Sequence, residues 1–265
     1  MKLIKPTFLK NKDLVIFDLD GTLTPSKSPM DLDMAELFVK LLAVKKVAVI
    51  SGAQMSQFRI QLLNPLKGHK AKFENLFLFP ETSTQFFRYR KGKWREVYAH
   101  KLSSLEVKKI RAAFKKAFDE IHYIQPKKLY GPVIQNRGSE VAFSALGQNI
   151  VSILGGQGVR LKSKWKKEHS DLKMKIARHV AKQLPHLEVH AAGYTSIDVT
   201  RKGIDKAYGV RQIHKQLGVP IKKMVFVGDA IFPGGNDYEA IKSGIDYIKV
   251  KGPAETKNLI KDLIK

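Results

Sequence analysis

Paired aspartates follow apolar runs at two distant places in the chain. Asp18 and Asp20 lie in IFDLDGTLT at 16–24, and Asp229 and Asp237 lie in VFVGDAIFPGGNDYEA at 225–240. Carboxylates held close together repel each other and raise each other's pKa. A hard divalent cation such as Mg²⁺ takes oxygen ligands and keeps water positions that a phosphate can fill. These residue types therefore indicate a metal site that holds a phosphoryl group.

Two further segments supply groups that bind a phosphate. Ser51 and Gly52 follow the apolar run KVAVI, and Lys206 lies in GIDKAYG. A hydroxyl, a backbone amide and an ammonium can hold the oxygens of a phosphoryl group during its transfer. An ordinary turn with acidic residues would explain one aspartate pair. The complete set of pieces, in this order along the chain, favours a catalytic site.

The elements around these residues predict a parallel sheet covered by helices. Apolar, β-branched runs at 13–18, 46–51, 75–80 and 223–229 are typical of buried strands. Helical patterns at 31–43 and in AQMSQFRIQLL separate them, and FFRYRKGKWREVYA at 86–99 predicts a hairpin that turns at Lys91-Gly92. Ligands of such sheets bind beyond the carboxyl ends of the strands. The aspartates and Ser51 are expected at that edge.

The pattern changes between residues 101 and 200. A helix is predicted from SSLEVKKIRAAFKKAFDEI, which opens with Ser103 and Glu106 in capping-box spacing. Strands PVIQN and SEVAFSAL, a helix at 171–184, and strands LEVHA and TSIDVT follow. The predicted fold is α/β, a Rossmann-like core with a parallel sheet plus an inserted α+β cap. The predicted boundaries are 1–100 and 201–265 for the core and 101–200 for the cap.

The chain is strongly basic, with 48 Lys and Arg against 24 Asp and Glu among 265 residues. The excess is spread along the chain, since residues 101–200 carry 18 basic and 8 acidic residues. This distribution disfavours a dedicated nucleic-acid surface, although the field would attract phosphorylated metabolites. The densest cluster, RLKSKWKK at 160–167, is interpreted as solvated surface rather than as an anion site.

Composition also limits the cellular setting. The chain has no cysteine, which excludes disulfides, thiolate nucleophiles and cysteine metal ligands. It contains no run of about 18 apolar residues, so no membrane span is expected. The basic N-terminus lacks the apolar stretch of a signal peptide, and a cytoplasmic location is the expectation.

The motifs resemble those of the haloacid-dehalogenase-like (HAD) superfamily with a type IIB cap. Within it, the chain is most similar to eukaryotic-type phosphomannomutases and their prokaryotic phosphatase-like relatives. The matching segments are DLDGTLTPS (18–26), SGA (51–53), NRGSEVAFSALGQ (136–148), TSIDVTRKGIDKAYGV (195–210) and GDAIFPGGNDYEA (228–240). They cover nearly the whole chain.

The resemblance implies a mechanism. Asp18 would attack phosphorus to form an aspartyl phosphate, and Asp20 would act as general acid and then base. Ser51, the backbone of Gly52 and Lys206 would hold the phosphoryl oxygens, and Thr22 would contact the phosphate or fix Asp20. Mg²⁺ would bind the Asp18 carboxylate, the Asp20 main-chain carbonyl and the carboxylates of Asp229 and Asp237.

The resemblance also implies a phosphorylated sugar as substrate and leaves two activities open. A mutase needs a second phosphate site in the cap, and in the mutase pattern three arginines form it. Arg137 matches the first, Gln148 stands at the second, and the third falls near Gly155-Gly156, although Arg160 or Lys162 could substitute. The remaining substrate-binding positions are Lys27, Ser196 and Asp198.

Because glutamine carries no charge, this pattern favours a sugar-phosphate phosphatase over a phosphomannomutase. A nucleic-acid-binding role is the third alternative. The resemblance allows a homodimer formed through the cap, which no feature of the sequence decides.

Overall fold

A computed structural model describes residues 9–265. In the first part of the chain, buried strands alternate with helices and lead into a hairpin. These elements are β1 (Leu14–Phe17), α1 (Leu32–Val44), β2 (Lys46–Ile50), α2 (Met55–Phe58), β3 (Leu76–Phe79), β4 (Gln85–Arg90) and β5 (Lys93–Ala99). A π-helical turn at Arg59–Leu63 continues α2 and ends before Pro65, whose ring is incompatible with a regular helix interior. A 3₁₀ turn at Phe73–Asn75 leads into β3.

The middle part of the chain contains two long helices and four strands. Its elements are α3 (Ser104–Ile121), β6 (Ile134–Asn136), β7 (Val141–Ser144), α4 (Ile150–Leu154), α5 (Gly156–Gln183), β8 (Leu187–His190) and β9 (Ser196–Arg201). The Ser103 Oγ accepts from the Glu106 amide at 3.2 Å, and Glu106 Oε2 accepts from the Ser103 amide at 2.7 Å. The capping box predicted at the start of α3 is therefore confirmed.

The last part returns to the strand and helix alternation. Its elements are α6 (Lys206–Leu217), β10 (Met224–Gly228), α7 (Tyr238–Ile241), β11 (Asp246–Lys249) and α8 (Pro253–Leu263), with a 3₁₀ turn at Ile221–Lys223 before β10. Helix α7 is a single turn, and Gly244 follows it with a left-handed φ of 79°. Strand β11 and helix α8 were not predicted from the sequence.

A seven-stranded sheet has the order β11-β10-β1-β2-β3-β4-β5. The first five strands in this order pair in parallel, and β4 and β5 are antiparallel. Side chains alternate across it, so that Val15 and Phe17 pack with Phe38 of α1 on one face. Leu14 and Ile16 pack with residues of α6 on the other face. The predicted α/β fold is confirmed.

A second, antiparallel sheet has the order β6-β7-β9-β8. One face carries Phe143 and Ile197, which pack with Phe114 of α3 and Ile176 of α5. The register places Ala142 opposite Asp198, so these residues share the other face. The described residues divide into two compact units, one of residues up to Ala99 with Ile204–Lys265, the other of His100–Gly203. None of the helices in the described part of the chain combines the length and apolar composition needed to cross a membrane.

Candidate active site

Three central strands of the large sheet end at polar residues. Asp18 follows β1, Ser51 follows β2 and Asp229 follows β10. Because β1 lies between β10 and β2 and all three are parallel, these side chains share one edge of the sheet. The edge is the carboxyl end of the strands, where α/β sheets bind their ligands.

Helix α6 brings Lys206 to this edge. Asp205 caps the helix by accepting from the Tyr208 amide at 2.7 Å, and Lys206 is the first helical residue. The Lys206 Nζ donates to Asp18 Oδ1 at 2.6 Å and to Asp237 Oδ1 at 2.5 Å. All three side chains are buried. Burial alone would lower the pKa of Lys206, but Asp18 and Asp237 outweigh it and raise this pKa, so the ammonium stays charged.

The carboxylates of Asp18, Asp229 and Asp237 offer oxygens that all lie within 4.8 Å of one another. Burial and the charge of Asp237 raise the pKa of Asp229. A cation bound beside these carboxylates would lower this pKa again. The chain at Gly21 passes so close that a Cβ there would lie 2.7 Å from Asp229 Oδ2, and its φ is 85°. A set of hard oxygen donors in this arrangement fits Mg²⁺ better than a softer metal.

Two hydrogen bonds orient the carboxylates of the second acidic segment, Asp229 and Asp237. The Thr22 Oγ1 donates to Asp229 Oδ1 at 3.4 Å, and the Ala230 amide donates to Asp237 Oδ2 at 2.9 Å. Thr22 is fully buried and therefore orients Asp229. Its predicted role, contact with the phosphate or with Asp20, stays a prediction.

Asp20 lies beside this cluster and is only partly buried. Its Oδ1 accepts from the Lys27 amide at 2.6 Å and from Gln61 Nε2 at 2.8 Å. Lys27 thus contributes its main chain here, in the left-handed region at φ 53°. Sequence reasoning missed Gln61, since nothing in its local pattern shows that the π-helical turn carries it to the first acidic segment.

A strained turn after β3 supports the segment with Ser51 and Gly52. Glu81, Thr82 and Ser83 have φ values of 47°, 53° and 72°, a left-handed run that non-glycine residues rarely adopt. The Thr82 amide donates to the Ser51 carbonyl at 2.9 Å, and the Glu81 amide donates to the Ala53 carbonyl at 3.0 Å. The Ser51 Oγ accepts from the Ala53 amide at 3.1 Å. Such strain is typical of functional sites, and only the position of this turn at the end of β3 could have indicated it.

The unit His100–Gly203 contains the other predicted residues. Arg137, in the loop between β6 and β7, donates to Glu140 Oε1 at 2.6 Å, to Gln148 Oε1 at 3.0 Å and to Gln135 Oε1 at 3.2 Å. The Glu140 side chain is completely buried. Arg137 and Gln148 are therefore brought together, but the charge of the guanidinium is compensated by a carboxylate that sequence reasoning missed.

Ser196 and Asp198 lie on β9 of the same sheet. Ser196 is opposite Ser144 and partly buried, whereas Asp198 is opposite Ala142 and buried. Both point to the face that does not pack on α3 and α5, because Ile197 between them belongs to the apolar core. This face can present hydroxyl and carboxylate groups to a polar ligand.

The chain is similar to known proteins over most of its length. A family model described as eukaryotic phosphomannomutase matches residues 34–265. Phosphomannomutase of Saccharomyces cerevisiae (strain ATCC 204508 / S288c) is 26% identical over 232 residues, 87% of this chain and 85% of that protein. Phosphomannomutase 2 of Dictyostelium discoideum is 27% identical over 264 residues, 96% of this chain and 97% of that protein.

Solved structures share the fold at lower identity. N-terminally truncated, IMP-bound IMP-nucleotidase of Plasmodium falciparum superimposes with a TM-score of 0.68 and 19% identity, covering 96% of this chain and 68% of that one. Trehalose-6-phosphate phosphatase of Aspergillus fumigatus gives a TM-score of 0.56 and 18% identity, covering 98% of both chains. At this identity the similarity shows the fold alone.

Proposed function

The chain belongs to the eukaryotic phosphomannomutase family, and we propose that it interconverts hexose 1-phosphate and 6-phosphate through an aspartyl phosphate on Asp18. It is a HAD-type phosphoryl-transfer enzyme. The family match and the relatives favour the mutase over the phosphatase that the sequence analysis preferred. The observation that carries the proposed mechanism is the buried Lys206 bridging Asp18 and Asp237 at the carboxyl edge of the sheet.

In the proposed reaction, a carboxylate oxygen of Asp18 attacks phosphorus, and the bond from phosphorus to the sugar oxygen breaks. Asp20 gives its proton to that leaving oxygen, so that a neutral hydroxyl departs. The second half-reaction reverses these roles: Asp20 takes the proton of an acceptor hydroxyl, which attacks the aspartyl phosphate. The two bonds to Asp20 Oδ1, from Lys27 and Gln61, hold that carboxyl in one orientation.

The other core residues would hold charge in place. Lys206, Ser51 and the Gly52 amide would donate to phosphoryl oxygens while negative charge is redistributed during transfer. Asp18, Asp229 and Asp237, with the Asp20 carbonyl, would hold Mg²⁺. When bound, this ion supplies positive charge that reduces repulsion between the phosphate and the attacking carboxylate.

The second candidate is hydrolysis of the same aspartyl phosphate, which the bonds of Arg137 favour. A mutase must hold a bisphosphorylated sugar while it changes orientation, and a free guanidinium would bind its second phosphate strongly. Here Glu140 compensates the charge of Arg137 at 2.6 Å. A weakly held bisphosphate would leave, and water would take the phosphoryl group.

The experiment is incubation of the pure protein with Mg²⁺ and mannose 1-phosphate, with and without catalytic glucose 1,6-bisphosphate. Mannose 6-phosphate and free phosphate are measured together, and Asp18→Asn is the blank. Bisphosphate-dependent mannose 6-phosphate with little free phosphate supports the mutase, and free phosphate regardless of bisphosphate supports hydrolysis. If a series of hexose phosphates gives neither product, both candidate activities are contradicted. The dimer through the cap and the cytoplasmic location stay predictions.

A further inference from the structure

Lys173 on α5 is a buried cation with few partners. Lys173 is only 7% exposed, and its Nζ donates to the Gly193 carbonyl at 2.9 Å. An ammonium group has three N–H donors. Within residues 9–265, its Nζ has no second hydrogen-bond acceptor and forms no ion pair. Because a buried ammonium is costly unless its donors are satisfied, the two remaining N–H donors of Lys173 are groups that an anion could bind.

A second lysine approaches the same loop. The Nζ of Lys166 lies over the ring of Tyr194 at 5.1 Å from its centroid, and Tyr194 follows the Gly193 that accepts from Lys173. Burial lowers the pKa of Lys173, the nearby charge of Lys166 lowers it further, and Asp198 opposes both. Lys173 therefore lies within reach of the charge of a second lysine as well as that of a carboxylate.

The position of these lysines relates them to the predicted substrate residues. Asp198 and Ser196 lie on β9, directly after the loop that contains Gly193 and Tyr194. This loop is exposed, so a ligand can reach it from solvent. Lys162, one helical turn before Lys166, adds a third basic residue to the same side of α5.

We propose that Lys173 and Lys166, with the loop at Gly193 and Tyr194, form an anion site that takes the phosphate group of a sugar phosphate. The proposal rests on the proposed function for its ligand class. The site lies on α5 and the loop before β9, and it is separate from Arg137, whose charge Glu140 compensates. Phosphate oxygens would accept hydrogen bonds from the two remaining N–H donors of Lys173, and their negative charge would reduce the repulsion between the lysines.

The test is a titration of the ¹⁵N-labelled full chain with inorganic phosphate, followed by amide chemical shifts. The amides of Gly193 and Tyr194 should shift in the wild type. Lys173→Met should need at least tenfold more phosphate for the same shift, as expected for loss of a charge-assisted hydrogen bond. Lys175→Met removes the same charge from an exposed position of α5 and should behave as the wild type.

Further measurements keep this test independent of folding and of the proposed function. Lys173→Met removes a buried charge, so its unfolding temperature should equal or exceed that of the wild type. If it does not fold, Lys166→Ala, at an exposed position, should still weaken the phosphate shifts severalfold. Mannose 6-phosphate in place of inorganic phosphate shows whether the sugar adds affinity.

Shifts that persist unchanged in Lys173→Met, or that occur only at residues 137–148 or in the core unit, would overturn the site. Absence of product in the activity assay, with phosphate shifts at Gly193 intact, would instead contradict the proposed function alone. Product formation without any shift at this loop would contradict the site alone.

Discussion

Lys206 lies between two carboxylates that would repel each other in a site closed to water. Replacing it by methionine leaves Asp18 and Asp237 buried without a counter-ion. We expect Lys206→Met to lower the free energy of unfolding by about 3–5 kcal/mol in metal-free buffer. Because a divalent cation can take over the compensation, Mg²⁺ should raise the unfolding temperature of this variant more than that of the wild type.

Thermal unfolding with EDTA and with Mg²⁺ measures this difference. Lys215→Met, at an exposed position of the same helix, is the matched control. An equal response of Lys206→Met and the wild type to Mg²⁺ would contradict the idea that the ion replaces the missing ammonium, and no response in either protein would contradict metal binding by these carboxylates.

Gln61 is expected to act through Asp20. Gln61→Leu removes the bond to Asp20 Oδ1 and also a buried Oε1 that has no hydrogen-bond partner in the part of the chain that the structure describes. The free energy of unfolding should therefore change by less than about 1 kcal/mol. Turnover should fall about tenfold with little change in KM, since Asp20 loses orientation rather than contact with the substrate.

Once the series of hexose phosphates has given a working assay, steady-state kinetics with mannose 1-phosphate measures turnover and KM separately. Gln57→Leu, one helical turn earlier and partly exposed, should leave both constants unchanged. Unaltered turnover of Gln61→Leu would exclude a positioning role.

The sequence alone was sufficient to predict the site residues that directly follow strands. It was insufficient to predict the residues that tertiary packing brings to the site. Asp18, Ser51 and Asp229 each end an apolar run, and the parallel order of those runs places them at one edge. Gln61 and Glu140 have no such marker. Their roles depend on the positions of a π-helical turn and a hairpin loop in the folded chain, and local periodicity does not determine these positions.

At the scale of elements, the helix α5 shows why boundary predictions failed. The sequence predicted a helix at 171–184, but α5 begins at Gly156 and includes the basic cluster 160–167. Lys, Arg and Gln are good helix formers, although the segment lacks a regular apolar stripe. Trp165 is buried, and His169 (φ −134°, ψ 21°) interrupts the helical geometry between the two halves. Propensity rather than periodicity explains this half of the helix.

The contact between α6 and the strained turn should be sensitive to one methyl group. A Cβ at Gly209 would lie 2.8 Å from Ile50 Cδ1 and would also clash with the Ser83 side chain. Gly209→Ala should therefore destabilise the protein by about 1–3 kcal/mol, although alanine is the better helix former by about 1 kcal/mol.

Denaturant unfolding of a double-mutant cycle with Ser83→Gly checks the cause. Ser83→Gly removes one clashing group and suits the left-handed φ of 72° at that position. The cost of Gly209→Ala should be smaller in that background. Equal costs in both backgrounds would assign the clash to Ile50 alone.

Tyr123, just after α3, should make the stability of the unit His100–Gly203 depend on pH in alkaline solution. Its ring packs on Phe118 at 4.8 Å, and its hydroxyl has no hydrogen-bond partner among residues 9–265. Burial raises its pKa to about 12. An unfolded tyrosine has a pKa of about 10. The raised pKa therefore contributes stability that is fully present below pH 10 and is lost as pH rises toward 12.

Tyr123→Phe removes this titration. Its unfolding temperature should fall less than that of the wild type between pH 9 and 11.5, and at pH 7 it should be at least as stable. Tyr247→Phe, at a residue that is 50% exposed, serves as the control. Parallel pH profiles for Tyr123→Phe and the wild type would contradict the assignment.

At the scale of the whole molecule, the positive charge is a general property rather than a single surface. The hairpin of β4 and β5 pairs Arg88 with Arg95 and Arg90 with Lys93, so like charges face each other across the strands. A row of like charges of this kind does not form a site that recognises a particular nucleic-acid sequence. It adds to the field that draws phosphorylated metabolites toward the protein, and the nucleic-acid alternative stays a prediction that salt-dependent binding would test.

The unit His100–Gly203 should fold without the rest of the chain. It has a core of its own, and its two ends are joined, because Arg201 donates to the Lys101 carbonyl at 2.9 Å and to Glu106 Oε2 at 3.1 Å. A continuous segment whose ends are held together loses little when it is cut from its neighbours. We expect residues 100–203 to unfold in one cooperative thermal transition and to give dispersed amide resonances.

Arg201→Ala should lower the unfolding temperature of this fragment by a few degrees, as expected for about 1 kcal/mol in a domain of this size. A fragment with undispersed resonances would mean that the core of this unit depends on the rest of the protein.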